Sequence, residues 1–130
     1  MANPNIVSVS SIYGECVGWN LTATTTTTLF TVAADKLIKI NRIVCANVDT
    51  AAAADLTLSI TTNVQTSSGG TVAGGATTVF LAKTISVPAD SSLVVSDTPI
   101  YLRESDILKG GASVVSDLDL FISYEVLDDA

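Results

Sequence analysis

Histidine is absent from the chain. That removes the commonest general base and the usual partner of a nucleophilic serine or cysteine. It also removes the ligand that most zinc sites use beside cysteine. Charge is sparse as well: Lys, Arg, Asp and Glu make up 15% of residues, against about 25% in an ordinary soluble domain. Only six residues are basic and thirteen are acidic, for a net charge of −7. So few scattered cations cannot neutralise a phosphate backbone or hold an anionic membrane surface, so neither nucleic acid nor membrane is expected as a partner. Aromatics are 5% of the chain, few for stacking on sugars. No apolar run approaches transmembrane length. Residues 1–5 carry no positive charge and no apolar stretch follows, which reads as no secretory leader and predicts a protein made in the cytoplasm and soluble. On that reading the sequon Asn20-Leu21-Thr22 is a chance match.

The two cysteines, Cys16 and Cys45, have no CxxC spacing. Each sits in a strand-like run, so two buried free thiols are expected. A bridge, the alternative, would close a loop of about 30 residues and contribute ~3–4 kcal/mol.

What is present is strand grammar. In residues 117–126, Leu118, Leu120, Ile122, Tyr124 and Val126 fall on one face of a period-two chain, with Asp117, Asp119, Ser123 and Glu125 on the other. That marks a half-buried antiparallel strand. Phe121 interrupts the polar face. Leu56, Leu58 and Ile60 alternate with Asp55, Thr57, Ser59 and Thr61. Tyr13, Val17, Trp19 and Leu21 share a face, and Val79, Leu81, Ile85 and Val87 share one parity. Between residues 36 and 48 the parity changes after Ile38 and Ile40, which predicts a bulge near Asn41-Arg42. Leu93, Val95, Ile100 and Leu102 flank a turn at Ser96-Asp97-Thr98-Pro99. The run Ala51-Ala52-Ala53-Ala54 is too short to stand as a helix and reads as a turn or one helical turn between strands. The threonines of residues 24–28 form an edge or a loop.

The 130 residues suit one domain. The expected fold is all-β: a single-domain antiparallel β-sandwich of jelly-roll type, with about eight strands over residues 1–130. An immunoglobulin-like sandwich fits less well, because Trp19 follows Cys16 by three residues instead of lying midway to Cys45. Residues 63–77, rich in Gly, Ser and Thr, are expected to form a flexible loop. Residues 1–11 are a candidate partner-contacting arm.

Candidate chemistry is thin. No Ser-x-x-Lys spacing occurs, and Ser105-Asp106-Ile107-Leu108-Lys109 reads as a turn entering a strand. Acidic pairs occur at Glu104/Asp106, Asp117/Asp119 and Asp128/Asp129, but none lies in a Gly-bounded loop with three oxygen ligands, so solvated strand faces are expected. Gly69-Gly70 and Gly74-Gly75 lack the Lys-Ser/Thr that follows in a phosphate loop. No catalytic, cofactor-binding or metal-binding residue is expected. The candidate partner contacts are Asn5, Ile6, Val7, Ser8 and Val9, read as a strand without a partner in its own sheet, and Phe121, exposed by parity.

Several stretches resemble a family. They are the opening residues 1–14, Ile85-Ser86-Val87-Pro88-Ala89-Asp90, Val94-Val95, Pro99-Ile100-Tyr101-Leu102 and Ile122-Ser123-Tyr124-Glu125. With Lys39-Ile40-Asn41 and Ala46-Asn47-Val48-Asp49, they are similar to the small virion structural proteins of marine tailed cyanophages. The resemblance implies a non-enzymatic subunit, assembled in a host bacterial cytoplasm and present in many copies in the virion. The leading expectation is a capsid decoration (cement) protein that binds and stabilises the major-capsid lattice. Its partners would be the major capsid protein or other virion proteins, and further copies of itself. A homo-oligomer is expected, with a trimer suggested by analogy to other sandwich subunits. A neck, tail or fibre-attachment component is the second reading, and a host-surface glycan-binding module the third.

Overall fold

The computed structural model describes residues 6–63, 69–70, 72 and 77–128. Among these residues nine strands follow one another: β1 (Ser11–Asn20), β2 (Thr27–Thr31), β3 (Lys36–Asn47), β4 (Ala54–Thr62), β5 (Thr77–Val87), β6 (Ser92–Ser96), β7 (Ile100–Leu102), β8 (Ile107–Ala112) and β9 (Leu118–Asp128). There is no helix among the described residues, as expected where β-branched and hydroxyl side chains dominate.

All pairings are antiparallel, and they are nested. β1 lies against β9, β2 against β8, β3 against both β6 and β7, and β4 against β5. The chain is thus one long hairpin with its tip at the β4–β5 connection, rolled into two sheets. The first runs β1-β9-β3-β6 with β7 also on β3, and the second runs β2-β8-β4-β5. This is jelly-roll order. The expected eight strands become nine because the turn at residues 96–99, closed by Ser96 Oγ donating to the Thr98 carbonyl at 3.0 Å, splits one strand into β6 and β7.

One hydrophobic core fills the space between the sheets, with Ile40, Ile43, Leu56, Leu58, Leu120 and Ile122 almost fully enclosed. The parity of residues 56–60 and 118–126 therefore points inward as read. The bulge expected near Asn41-Arg42 occurs between Ile40 and Arg42, opposite Tyr124 and Ser123. It lets both Ile40 and Ile43 enter the core. The alanine run is a bend. Asp49 Oδ1 accepts from the Ala51 amide at 2.7 Å and the Ala52 amide at 3.2 Å, a side-chain turn that leads into β4.

Three readings need correction. The single parity over Val79, Leu81, Ile85 and Val87 does not hold. Ala82 and Val87 are buried while Val79 and Ile85 are exposed. The β4–β5 register shifts twice, and Thr84 sits at a φ of 48°. Each one-residue slip exchanges the faces of the strand. The N-terminal run is not a strand: Ile6, Val7 and Ser8 form a turn, and regular pairing starts at Ser11.

Cys16 is exposed, and only Cys45 is buried. The parity that turns Val17 and Trp19 inward turns Cys16 outward. The two cysteines sit on opposite faces of the first sheet with β9 between them, two strands across and three residues along, roughly 14 Å apart by strand geometry. A bridge is beyond reach, and both thiols are free. Of the stretch 63–77, only Asn63, Gly69, Gly70, Val72 and Thr77 are among the described residues, so most of that loop lies outside them.

Candidate interaction surface

The outer face of the first sheet should be polar, since it looks away from the core. Two rows depart from that: Ile12, Leu127 and Leu37 line up near the start of β1, with both leucines buried, and the second row is centred on Phe121. Phe121 on β9 stands opposite Gly18 on β1 and Val44 on β3, and Val44 stands opposite Val94 on β6. Phe121 is 47% exposed, and its Cδ1 lies 3.5 Å from where a Cβ on Gly18 would sit. The ring therefore lies over the glycine, which leaves it room, and beside a half-buried Val44 and an exposed Val94. The result is an apolar band crossing β1, β9, β3 and β6. Polar pairs flank it: Asn20 Nδ2 donates to Asp119 Oδ1 at 2.6 Å on one side, and Asn41 Nδ2 to Glu125 Oε2 at 3.2 Å on the other.

The N-terminal candidates lie elsewhere. Val7 is 90% exposed, Ile6 and Ser8 are exposed and Val9 is half-buried; Asn5 is outside the described residues. The Ser10 amide donates to the Asp128 carbonyl at 3.0 Å and Ser10 Oγ at 2.9 Å. That anchors the N-terminal residues at the far end of β9, roughly 23 Å of strand from Phe121. The two sets of candidate contacts are not one patch.

A groove of about 390 Å³ opens where β1 and β2 part at the mouth of the sandwich, lined by Tyr13, Glu15, Phe30, Lys36, Tyr124 and Val126 among others. Phe30 and Tyr124 meet edge-to-face at 5.4 Å on its floor, and Lys36 pairs with Asp128 at 2.8 Å at one end. Burial, then the neighbouring Glu15 and Cys16, pushes the Tyr124 hydroxyl above the usual tyrosine range.

Several acidic residues hold backbone amides in place. Asp106 is buried and accepts from the Arg103 amide at 2.8 Å and the Asn63 amide at 3.1 Å, while Glu104 Oε2 accepts from the Asp35 amide at 2.8 Å. Asp49 and Asp117 face each other across two turns. The Ala51 and Ala52 amides hold Asp49 below the usual carboxylate range, with Asp117 adding a hydrogen bond. Desolvation, then the charge of Asp49, pushes Asp117 up. No cluster of three metal-ligating side chains occurs among the described residues.

Sequence reading overlooked Asn47. It is buried, Nδ2 donates to the Val87 carbonyl at 2.9 Å and the Ala52 carbonyl at 3.0 Å, and Oδ1 accepts from the Asp49 amide at 2.9 Å. It ties the end of β3 to the end of β5.

No family model matches the sequence, and no curated protein matches it. Among solved structures, the chain is similar to one described as "Bacillus endospore appendages form a novel family of disulfide-linked pili". The identity is 16% and the TM-score 0.44, with 92% of this chain and 88% of that chain covered. A likeness at that level supports no functional inference, and the jelly-roll assignment stands on the strand order of this chain itself.

Proposed function

We propose that this chain is a non-enzymatic virion structural protein, a capsid decoration subunit that adheres to the assembled major-capsid lattice through the outer face of its first sheet. The observation that carries the reading is the apolar band Gly18–Phe121–Val44–Val94, set in a chain with little charge. Covering the exposed half of the Phe121 ring removes on the order of 100 Å² of apolar surface from water, worth about 2 kcal/mol per copy. Multiplied over a lattice, that is enough to favour the assembled state by mass action. Electrostatics contributes little, because copies of net charge −7 repel one another and salt of ~0.15 M screens beyond ~8 Å.

Quantitative mass spectrometry of purified particles tests the reading. Hundreds of copies per particle are expected, and Phe121→Ser should lower occupancy about tenfold at subsaturating protein. A handful of copies would place the protein at the neck or a fibre, and complete absence would remove it from the virion. Occupancy that falls steeply with added salt would show that opposite charges, not apolar contact, hold it.

A further inference from the structure

The pairing of β1 with β9 is regular from Ser11↔Asp128 to Asn20↔Asp119, without a shift of register. One step further, the Leu21 amide donates to the Leu118 carbonyl at 2.9 Å. That bond sets the phase of the ladder. Odd-numbered residues of β1 exchange hydrogen bonds with β9, and the N–H and C=O groups of Ile12, Gly14, Cys16, Gly18 and Asn20 point the other way. Among the described residues no strand pairs on that side.

Exposed edges are ordinarily blunted by shortness, bulges, Lys or Pro. The other edges of this sandwich are. β2 has five residues and a bulge, β6 has five and a bulge, and β7 has three. β5 carries Lys83, two register shifts and the positive φ of Thr84. β1 has ten residues, no shift, no Lys and no Pro, and Glu15 is its one charged residue.

We propose that this edge is where two copies of the chain pair, β1 against β1, antiparallel about a two-fold axis through Cys16. The register follows from the ladder. Outward-pointing residues must meet outward-pointing residues, so the numbers of each pair add to an even sum. Centring on Cys16 pairs Ile12 with the partner's Asn20, Gly14 with the partner's Gly18, and Cys16 with the partner's Cys16. All five outward-pointing residues of each copy are used, giving about ten hydrogen bonds. Centring one residue either way leaves one of the five unmatched, and centring on Glu15 sets two carboxylates directly opposite. In the Cys16 register Glu15 faces Val17, and Tyr13 faces Trp19, an aromatic cross-strand pair of the kind that stabilises sheets. Gly14 against Gly18 leaves the seam free of side chains beneath Phe121. The five-stranded sheets of the two copies join into one continuous sheet. The pairing consumes both β1 edges, so assembly through this surface closes at two, and it holds whether or not the virion reading does.

Cys16 is a built-in reporter, because it is exposed while Cys45 is buried. Light scattering coupled to gel filtration should find a concentration-dependent dimer of the 13.4 kDa chain. Bismaleimidoethane should trap that dimer covalently, and Cys16→Ser should abolish the trapping without abolishing the dimer. Gly14→Pro removes an outward N–H at a position with open space around it and spares the bonds to β9. Two hydrogen bonds are lost per dimer, so its dissociation constant should rise about thirtyfold, with far-UV circular dichroism unchanged. Should that variant misfold, Cys16→Lys sets two ammonium groups opposite each other on the axis and should weaken the dimer likewise. A chain that stays monomeric at every concentration reached overturns the proposal. So does a trimer, a dimer that resists trapping through Cys16, or one that the folded variant leaves intact.

Discussion

Three glycines in strands meet different surroundings, and alanine at each should give three different results. A Cβ at Gly111 would lie 2.7 Å from the Thr25 carbonyl oxygen and 2.9 Å from its carbon. These are backbone atoms of the threonine loop that crosses β8, and the loop is tied down by the Ala112 amide donating to the Ala23 carbonyl at 3.1 Å. The loop cannot yield without losing that bond, so Gly111→Ala should cost about 2–4 kcal/mol, a packing clash plus one hydrogen bond. At Gly110 the near atom is the end of the Leu29 side chain, 2.8 Å away, which can turn aside. A cost of about 0–1.5 kcal/mol is expected there, because relief of glycine's backbone entropy offsets part of the crowding. At Gly14 nothing lies within 4 Å, so alanine should stabilise by roughly 0.5 kcal/mol. Urea unfolding followed by tryptophan fluorescence, dilute enough to keep the chain monomeric, gives the three values. Thermal midpoints should move by roughly 3–5 °C per kcal/mol. Equal losses for Gly111→Ala and Gly14→Ala, or a Gly111→Ala protein as stable as the parent, would refute the placement of the threonine loop over β8.

Other expectations follow from the core and its polar ties. Truncating Leu58, Ile60, Leu120 or Ile122 to alanine should cost about 2–5 kcal/mol each in urea unfolding, and midpoints that barely move for all four would mean that they do not face the core. Thiol titration of the native protein should find one fast group, Cys16, and one slow group, Cys45, with both fast in denaturant; two fast groups would contradict the burial of Cys45. Burial, then the charge of Asp119, raises the Cys45 thiol from 9.0 to about 11. In that window the unfolded chain has lost a proton that the folded chain keeps, so stability should fall between about pH 9 and 11. Comparing denaturation midpoints across the window with those of Cys45→Ala should show the extra slope in the parent alone. Asn47→Asp turns two donors into acceptors facing the Val87 and Ala52 carbonyls and should cost about 2–5 kcal/mol; a loss under about 0.5 kcal/mol would mean that neither bond matters.

How much of this was legible in the sequence depends on whether a feature is local. The alternation in residues 118–126 and 56–60 is set by each strand's own pleat, and it turned the right side chains inward. So did the parity change at Asn41-Arg42, because a bulge that keeps Ile40 and Ile43 both buried leaves its mark within one strand. Residues 79–87 misled for the opposite reason. Their slips answer to the partner β4 and to Thr84, and no single-strand pattern contains them. Asn47 and Asp106 were invisible because a buried polar residue, satisfied by backbone groups from other elements, looks like any surface polar residue when the partners are unknown.

The β1 edge is a more instructive miss. Nothing within residues 11–20 says whether the strand is central or at an edge, but the fold does. In a nested roll the first strand pairs with the last, and its other side faces outward unless another chain covers it. Once the jelly roll is inferred, a first strand of ten residues with one charge, no Lys and no Pro stands out as an edge without the usual protection. A monomer that worked alone would lose little by a lysine at Cys16, whose side chain already faces water, and would gain a guard against aggregation. The first sheet offers two surfaces where another molecule can be held without an ionic partner. One is the band around Phe121, and the other is the backbone of β1. They share the first sheet but use different groups, apolar side chains in one case and amides and carbonyls in the other. Phe121→Ser should therefore leave the pairing of copies through β1 intact, and Gly14→Pro should leave adhesion through the band intact.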